Sequence, residues 1–222
     1  MATREEIDAG QAVYSPFVLH VYDWFVLGVS NSLFWRCPTR ELRALYDRNV
    51  RARHLDVGVG TGFYLDHAKW PAAAPQITLV DLNANSLAAA QWRIRRYAPQ
   101  AVKADALAPL PALGTFESAG LCYLLHCLPG SIAEKSVVFD HLHPLLAPRA
   151  RIFGATIVQG PLPGGARRSR TAQALMGLYN RKGIFSNSRD TFTGLEAELK
   201  RRFAEVEIRV IGTVATFEAT AA

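Results

Sequence analysis

No Cys-x-x-Cys pair occurs in the chain, and its three cysteines, Cys37, Cys122 and Cys127, are odd in number. That argues against a disulfide framework or a thiolate zinc cage and makes a reducing, cytoplasmic setting the expectation. Long apolar runs are also missing. The most apolar early stretch, Phe17 to Val29, is interrupted by His20 and Asp23 and is too short to cross a bilayer. It is not a signal peptide either: Arg4, Glu5, Glu6 and Asp8 precede it, and no small-residue cleavage site closes it. Metal-ligand clusters are scarce. His141 and His143 follow Asp140 two apart and should point to different faces, so no metal is expected. No repeat or low-complexity linker divides the chain.

The 222 residues carry a net charge of +6, which keeps nucleic acid open as a partner. The basic clusters are short and separate, however: Arg93, Arg95 and Arg96; Arg167, Arg168 and Arg170; Lys200 to Arg202. Nucleic acid is therefore disfavoured against plain solvated surface. One domain is expected over residues 1–222, with a helical cap over 1–51, an α/β core over 52–222 and a substrate-side insertion at about 160–190.

From Arg53 onward, short β-rich runs alternate with helical stretches, the order of a parallel sheet covered on both faces. Strands are predicted at Leu55 to Val57, Ile77 to Val80, Ala101 to Lys103, Ser118 to Leu124 and Arg151 to Val158. Helices are predicted at Gly62 to Lys69, Ala84 to Tyr97, Ser131 to Leu146 and Ser169 to Tyr179. Val206 to Ile211 and Val214 to Ala219 flank Gly212-Thr213 and read as a closing hairpin. Thr193 and Glu196 read as a capping box for the helix before it. The fold class is a Rossmann-like, doubly wound, mostly parallel seven-stranded sheet with a C-terminal antiparallel hairpin and an N-terminal helical cap.

The strongest local signal is Asp56-Val57-Gly58-Val59-Gly60-Thr61-Gly62, set between a strand and a helix. Its glycines let backbone approach a ligand that a Cβ would exclude. Phe63 occupies the position where a dinucleotide fingerprint wants its last glycine, and no Walker lysine follows. Asp81-Leu82 ends the second strand, where a carboxylate can receive two ribose hydroxyls. Asp105-Ala106 follows the third, facing an adenine amino group, and Asp56 is left to meet an ammonium or order the loop. Three acids and a glycine loop suit a cationic amino-acid nucleoside better than a polyphosphate.

With these motifs, residues 53–158 resemble the class I S-adenosylmethionine-dependent methyltransferases. Residues 56–62 are similar to their first motif, Asp81 to their ribose-binding acid, and Asp105-Ala106 to their adenine-side motif. The resemblance implies S-adenosyl-L-methionine as cofactor and in-line methyl transfer. The expected cofactor-binding residues are Tyr14, Trp24, Asp56, Gly58, Gly60, Gly62, Asp81, Leu82, Asp105, Ala106 and Tyr123. His126 is similar to a histidine often found just beyond the family's fourth strand and is the expected general base. Tyr22 and Trp35 in the aromatic cap, with Tyr179, Asn180 and Asn187 in the late insertion, are the expected substrate contacts. The small-molecule methyltransferase reading, with secondary metabolism in view, competes with an RNA or protein methyltransferase, with a cyclase or lyase consuming the cofactor itself, and with a nucleoside-binding partner subunit. Apolar surface on the N-terminal helices could equally serve a homodimer.

Overall fold

The computed structural model describes residues 31–165 and 167–222. After a π-helical turn over residues 31–34, the elements are α1 (Thr39–Asn49), β1 (Arg53–Val57), α2 (Phe63–His67), β2 (Gln76–Asp81), α3 (Ala84–Arg93) and β3 (Gln100–Lys103). They continue through β4 (Phe116–Cys122), α4 (Ile132–Lys135), α5 (Val137–Leu142), β5 (Leu146–Ile157), α6 (Arg170–Arg181), α7 (Phe192–Arg202), β6 (Glu205–Ile211) and β7 (Val214–Thr220). The seven strands form one sheet in the order β3-β2-β1-β4-β5-β7-β6. β1 to β5 are parallel, and β7 runs antiparallel to both β5 and β6. The strand order reverses between β1 and β4, which opens a crevice at their carboxyl ends.

The period of two along each strand sorts the core into two layers. Leu55 and Val57 of β1 and Ile152 of β5 face one layer, built with Phe139 and Leu142 of α5 and Leu195 and Leu199 of α7. Phe153, Ala155 and Ile157 face the other, with Leu42, Leu45 and Tyr46 of α1, Leu87 and Ala90 of α3, and Met176 of α6. His54 and Asp56 alternate with Leu55 and Val57, so they share the face packed on α1. That placement decides what Asp56 can touch.

Several element ends differ from the sequence expectation. β4 stops at Cys122 rather than Leu124 because Tyr123 adopts φ 60° and turns the chain. The single helix expected over Ser131 to Leu146 is broken at Ser136 into α4 and α5, and β5 begins at Leu146, earlier than expected. The capping box sits at Ser131 and Glu134. α7 is capped by Thr191, whose side chain accepts from Gly194 N, and not by Thr193. The helix expected from Ala84 to Tyr97 ends at Arg93, and the one expected from Gly62 to Lys69 covers Phe63–His67. Among the described residues no helix is long and apolar enough to cross a membrane.

Candidate active site

A cavity opens at the carboxyl edge of β1, β2, β3 and β4. One end is polar. Asp81, Leu82 and Asn83 come from the end of β2, and Ala104, Asp105 and Ala106 from the loop after β3. The other end is mostly aromatic and sulfur-bearing: Tyr46, Phe63, Tyr64, Cys122, Tyr123 and Cys127. The floor between them is the backbone of residues 57–61.

The loop turns through positive φ at Gly58, Gly60 and Gly62, but the three do different work. A Cβ at Gly60 would meet nothing within 4 Å, so that backbone is open to a ligand. One at Gly58 would press on Leu124 at 2.8 Å. Gly62 is off the wall; a Cβ there would stand 3.0 Å from the Ala90 backbone, so this glycine serves the packing of α2 on α3.

Asp81 is half-buried and accepts from Asn83 N at 2.8 Å. Burial pushes its carboxyl up to about 6, against the pull of backbone N–H groups of Asn83, Gly60 and Val59. Asn83 caps α3, accepting from Asn85 and Ser86 N. Asp105 accepts from Leu107 N at 2.9 Å, which fixes its loop. Tyr123 donates to Asn31 Oδ1 at 3.0 Å, and Asn31 Nδ2 donates to Tyr64 Oη at 3.4 Å, tying two ring hydroxyls together.

Asp56 departs from the expectation. It is 2% exposed and absent from the wall; Tyr46 stands at the wall and donates to Asp56 Oδ2 at 2.9 Å. His54 Nε2 lies 3.3 Å from the same oxygen, and His54 Nδ1 is 2.8 Å from Ser118 Oγ. The register pairs His54 with Ser118 and Asp56 with Gly120. Gly120 is required there: a Cβ would sit 2.9 Å from Asp56 Oδ2 and 3.2 Å from Phe153 Cζ.

His126 is corrected too. It is 4% exposed, behind the wall, with its ring 4.5 Å from Phe185 and 5.5 Å from Tyr123 between centroids. Burial, and then the Lys135 charge, push its pKa down to about 3. Ile157 N donates to Nδ1 at 3.4 Å, so the proton of the neutral ring is on Nε2. A ring so weakly basic does not suit general-base work at neutral pH.

Of the substrate contacts named from sequence, Trp35, Tyr179, Asn180 and Asn187 lie off the cavity wall and make contacts within the fold. Trp35 is 3% exposed, and its carbonyl accepts from Thr213 N and Oγ1 at the hairpin loop. Tyr179 packs against Trp35 and Phe185, at 6.5 and 5.0 Å between centroids. Asn180 Nδ2 donates to Met176 O and Asn187 Oδ1, while Asn180 Oδ1 accepts from Asn187 N. Asn187, fully buried, donates to Ile157 O at 2.8 Å. These amides clamp the chain after α6 onto the end of β5. Tyr14, Tyr22 and Trp24 lie outside the described residues. Sequence reasoning missed Tyr46, Tyr64 and Asn31. Leu42, Leu45 and Tyr46 recur at helical spacing, a pattern that fits a core-facing stripe and does not single out the phenol.

Residues 55–152 match the family model described as a methyltransferase domain. The chain is 38% identical over 216 residues to the demethylluteothin O-methyltransferase of Streptomyces thioluteus, covering 97% of this chain and 92% of that relative. The chain belongs to the class I S-adenosylmethionine-dependent methyltransferases. This methyltransferase is also 36% identical over 215 residues to the physcion biosynthesis cluster O-methyltransferase of Aspergillus chevalieri, covering 96% of this chain and 95% of that one. Among solved structures, the DhpI–SAH complex shares its fold with a TM-score of 0.70 at 13% identity, covering 100% of this chain and 99% of that one. S-adenosylmethionine is the cofactor, and the cavity fits it: open backbone at Gly60, two carboxylates at one end and ring faces at the other.

Proposed function

We propose that this methyltransferase delivers the methyl group to a hydroxyl oxygen of a small aromatic acceptor of secondary metabolism. The observation that carries the reading is the division of the cavity into a polar end with Asp81 and Asp105 and an aromatic end with Phe63, Tyr64 and Tyr123. O-methyltransferases that match nearly the whole chain support the choice of oxygen. When bound, S-adenosylmethionine supplies a sulfonium-activated methyl group. Asp81 would accept from the ribose hydroxyls, Asp105 and Ala106 would stand beside the adenine, and the open backbone at Gly60 would allow close approach. The rings of Tyr64, Tyr123 and Phe63 favour a cation beside their faces. Rate would come from holding acceptor oxygen and methyl carbon in line, the C–O bond forming as the C–S bond to S-adenosylhomocysteine breaks; the hydroxyl proton passes to water, since His126 is too weakly basic to take it. A cytoplasmic location is supported by the free state of all three cysteines, Cys37, Cys122 and Cys127.

The test is mass spectrometry of the enzyme with S-adenosylmethionine and a panel of phenols, anilines and carbon-acid acceptors. S-adenosylhomocysteine formed only with a phenol, together with a product one methylene heavier, is the expected result. Turnover confined to anilines or carbon acids would overturn oxygen as the acceptor. Methylthioadenosine formed with no acceptor would show that the cofactor itself is cleaved.

A further inference from the structure

We propose that Tyr46 is the polar contact for the ammonium group of the cofactor, and that Asp56, His54 and Ser118 behind it set its hydroxyl as a hydrogen-bond acceptor toward the cavity. The inference rests on the nucleoside lying at the Asp81–Asp105 end, which leaves the Tyr46–Tyr123 end for the amino-acid portion.

The proton arrangement follows from four contacts. Arg51 N donates to Ser118 Oγ at 2.9 Å. Ser118 then has one proton to give, and His54 Nδ1 lies 2.8 Å away. With Nδ1 accepting, the neutral imidazole carries its proton on Nε2 and donates to Asp56 Oδ2 at 3.3 Å. Tyr46 donates its only hydroxyl proton to the same oxygen at 2.9 Å. Both donors end on Asp56, so the Tyr46 oxygen offers lone pairs, one of which meets the neighbouring Cys122 thiol.

An acceptor at the amino-acid end of the cavity suits an ammonium and disfavours a carboxylate. The buried Asp56 behind it adds attraction for positive charge without reaching the ligand. The ring is held in place. Tyr64 stacks on Tyr46 at 5.2 Å and 14°, and Phe153 meets it edge-on at 5.0 Å and 86°. The absence of a side chain at Gly120 keeps the space that Asp56 Oδ2 occupies. The expectation that Asp56 itself meets the ammonium is thus replaced by a carboxylate acting through a phenol.

The test measures binding by calorimetry with two ligands, S-adenosylhomocysteine and 5′-methylthioadenosine, the second of which lacks the amino-acid end. Tyr46→Phe is expected to weaken S-adenosylhomocysteine about tenfold while leaving methylthioadenosine within about twofold. Ser118→Ala, remote from the ligand, frees His54 to take its other tautomer and is expected to cause a smaller selective loss, about threefold. Should Tyr46→Phe fail to melt cooperatively, Ser118→Ala decides the matter with the same ligand pair. Equal loss for both ligands, or no loss for S-adenosylhomocysteine, overturns the proposal. If the unaltered enzyme binds methylthioadenosine but not S-adenosylhomocysteine, the amino-acid end has no subsite, and the proposal falls while the nucleoside reading stands. Binding of neither ligand removes the cofactor reading itself.

Discussion

Asp81 sits where a carboxylate is worth most in its ionised form, yet burial raises its pKa to about 6. In the proposed site the ribose hydroxyls would donate to the ionised form, so the bound state would favour loss of the proton. Cofactor affinity is therefore full above the pKa and falls as pH drops through about 6. Calorimetric titration of S-adenosylhomocysteine between about pH 5 and 8 should show this fall, and Asp81→Asn should abolish it while weakening binding by about 1.5–3 kcal/mol. A flat pH profile in the unaltered enzyme would remove Asp81 from the ligand. Asn187 makes the opposite case. Its amide is spent on Asn180 and on Ile157 O, so Asn187→Ala should lower stability by about 1–3 kcal/mol while kcat/KM per folded molecule stays unchanged. Thermal melts and active-site-normalised kinetics check both halves; altered acceptor selectivity at unchanged stability would restore the substrate role expected from sequence. Both side chains are polar residues at or beyond the end of an element, and the sequence does not distinguish them. Burial and bonding partners do.

Among the elements, the short helices between β4 and β5 carry an ion pair that neither periodicity nor composition reveals. Lys135, at the end of α4, donates to Asp190 Oδ2 at 2.8 Å and to Ser186 O at 2.7 Å, with both charged side chains fully buried. Burial lowers the Lys135 pKa and raises that of Asp190, each opposed by the partner's charge. The pair fastens the segment after α6 to α4, alongside the Ser186 N bond to His126 O. Lys135→Met alone should cost about 3–5 kcal/mol, because Asp190 is left buried without its cation. Lys135→Met with Asp190→Leu should recover most of that loss, as chemical denaturation would show; a double variant as unstable as the single one would point to packing instead. This tertiary link joins residues 55 apart in the chain. Capping signals were legible only in kind: hydroxyl residues near Ser131 and Thr191 promised helix starts, but which hydroxyl accepts depends on where the preceding chain lies.

For the whole molecule, ligand linkage gives the simplest check. S-adenosylhomocysteine at about one hundred times its Kd should stabilise the folded state by about 2.7 kcal/mol and raise Tm by roughly 5–10 °C in a scanning melt, and no shift would contradict the cavity as a cofactor site. The sequence by itself determined the succession of strands along the chain with the closing hairpin, the glycine loop, Asp81 at the end of β2 and Asp105 just after β3. These are local signals, written in alternation, turn residues and the spacing of acids from apolar runs. Only the tertiary structure decided that Asp56 lies buried behind Tyr46, that His126 is a buried ring, and that Trp35, Asn180 and Asn187 make contacts within the fold. The reason is that each of these roles depends on which face of a strand a side chain takes and what distant element covers it. Tyr46 reaches Asp56 because α1 packs on the face of β1 that carries the even-numbered residues, and Gly120 on β4 leaves the space. No single segment encodes that meeting; it exists once the sheet and its first described helix are packed together.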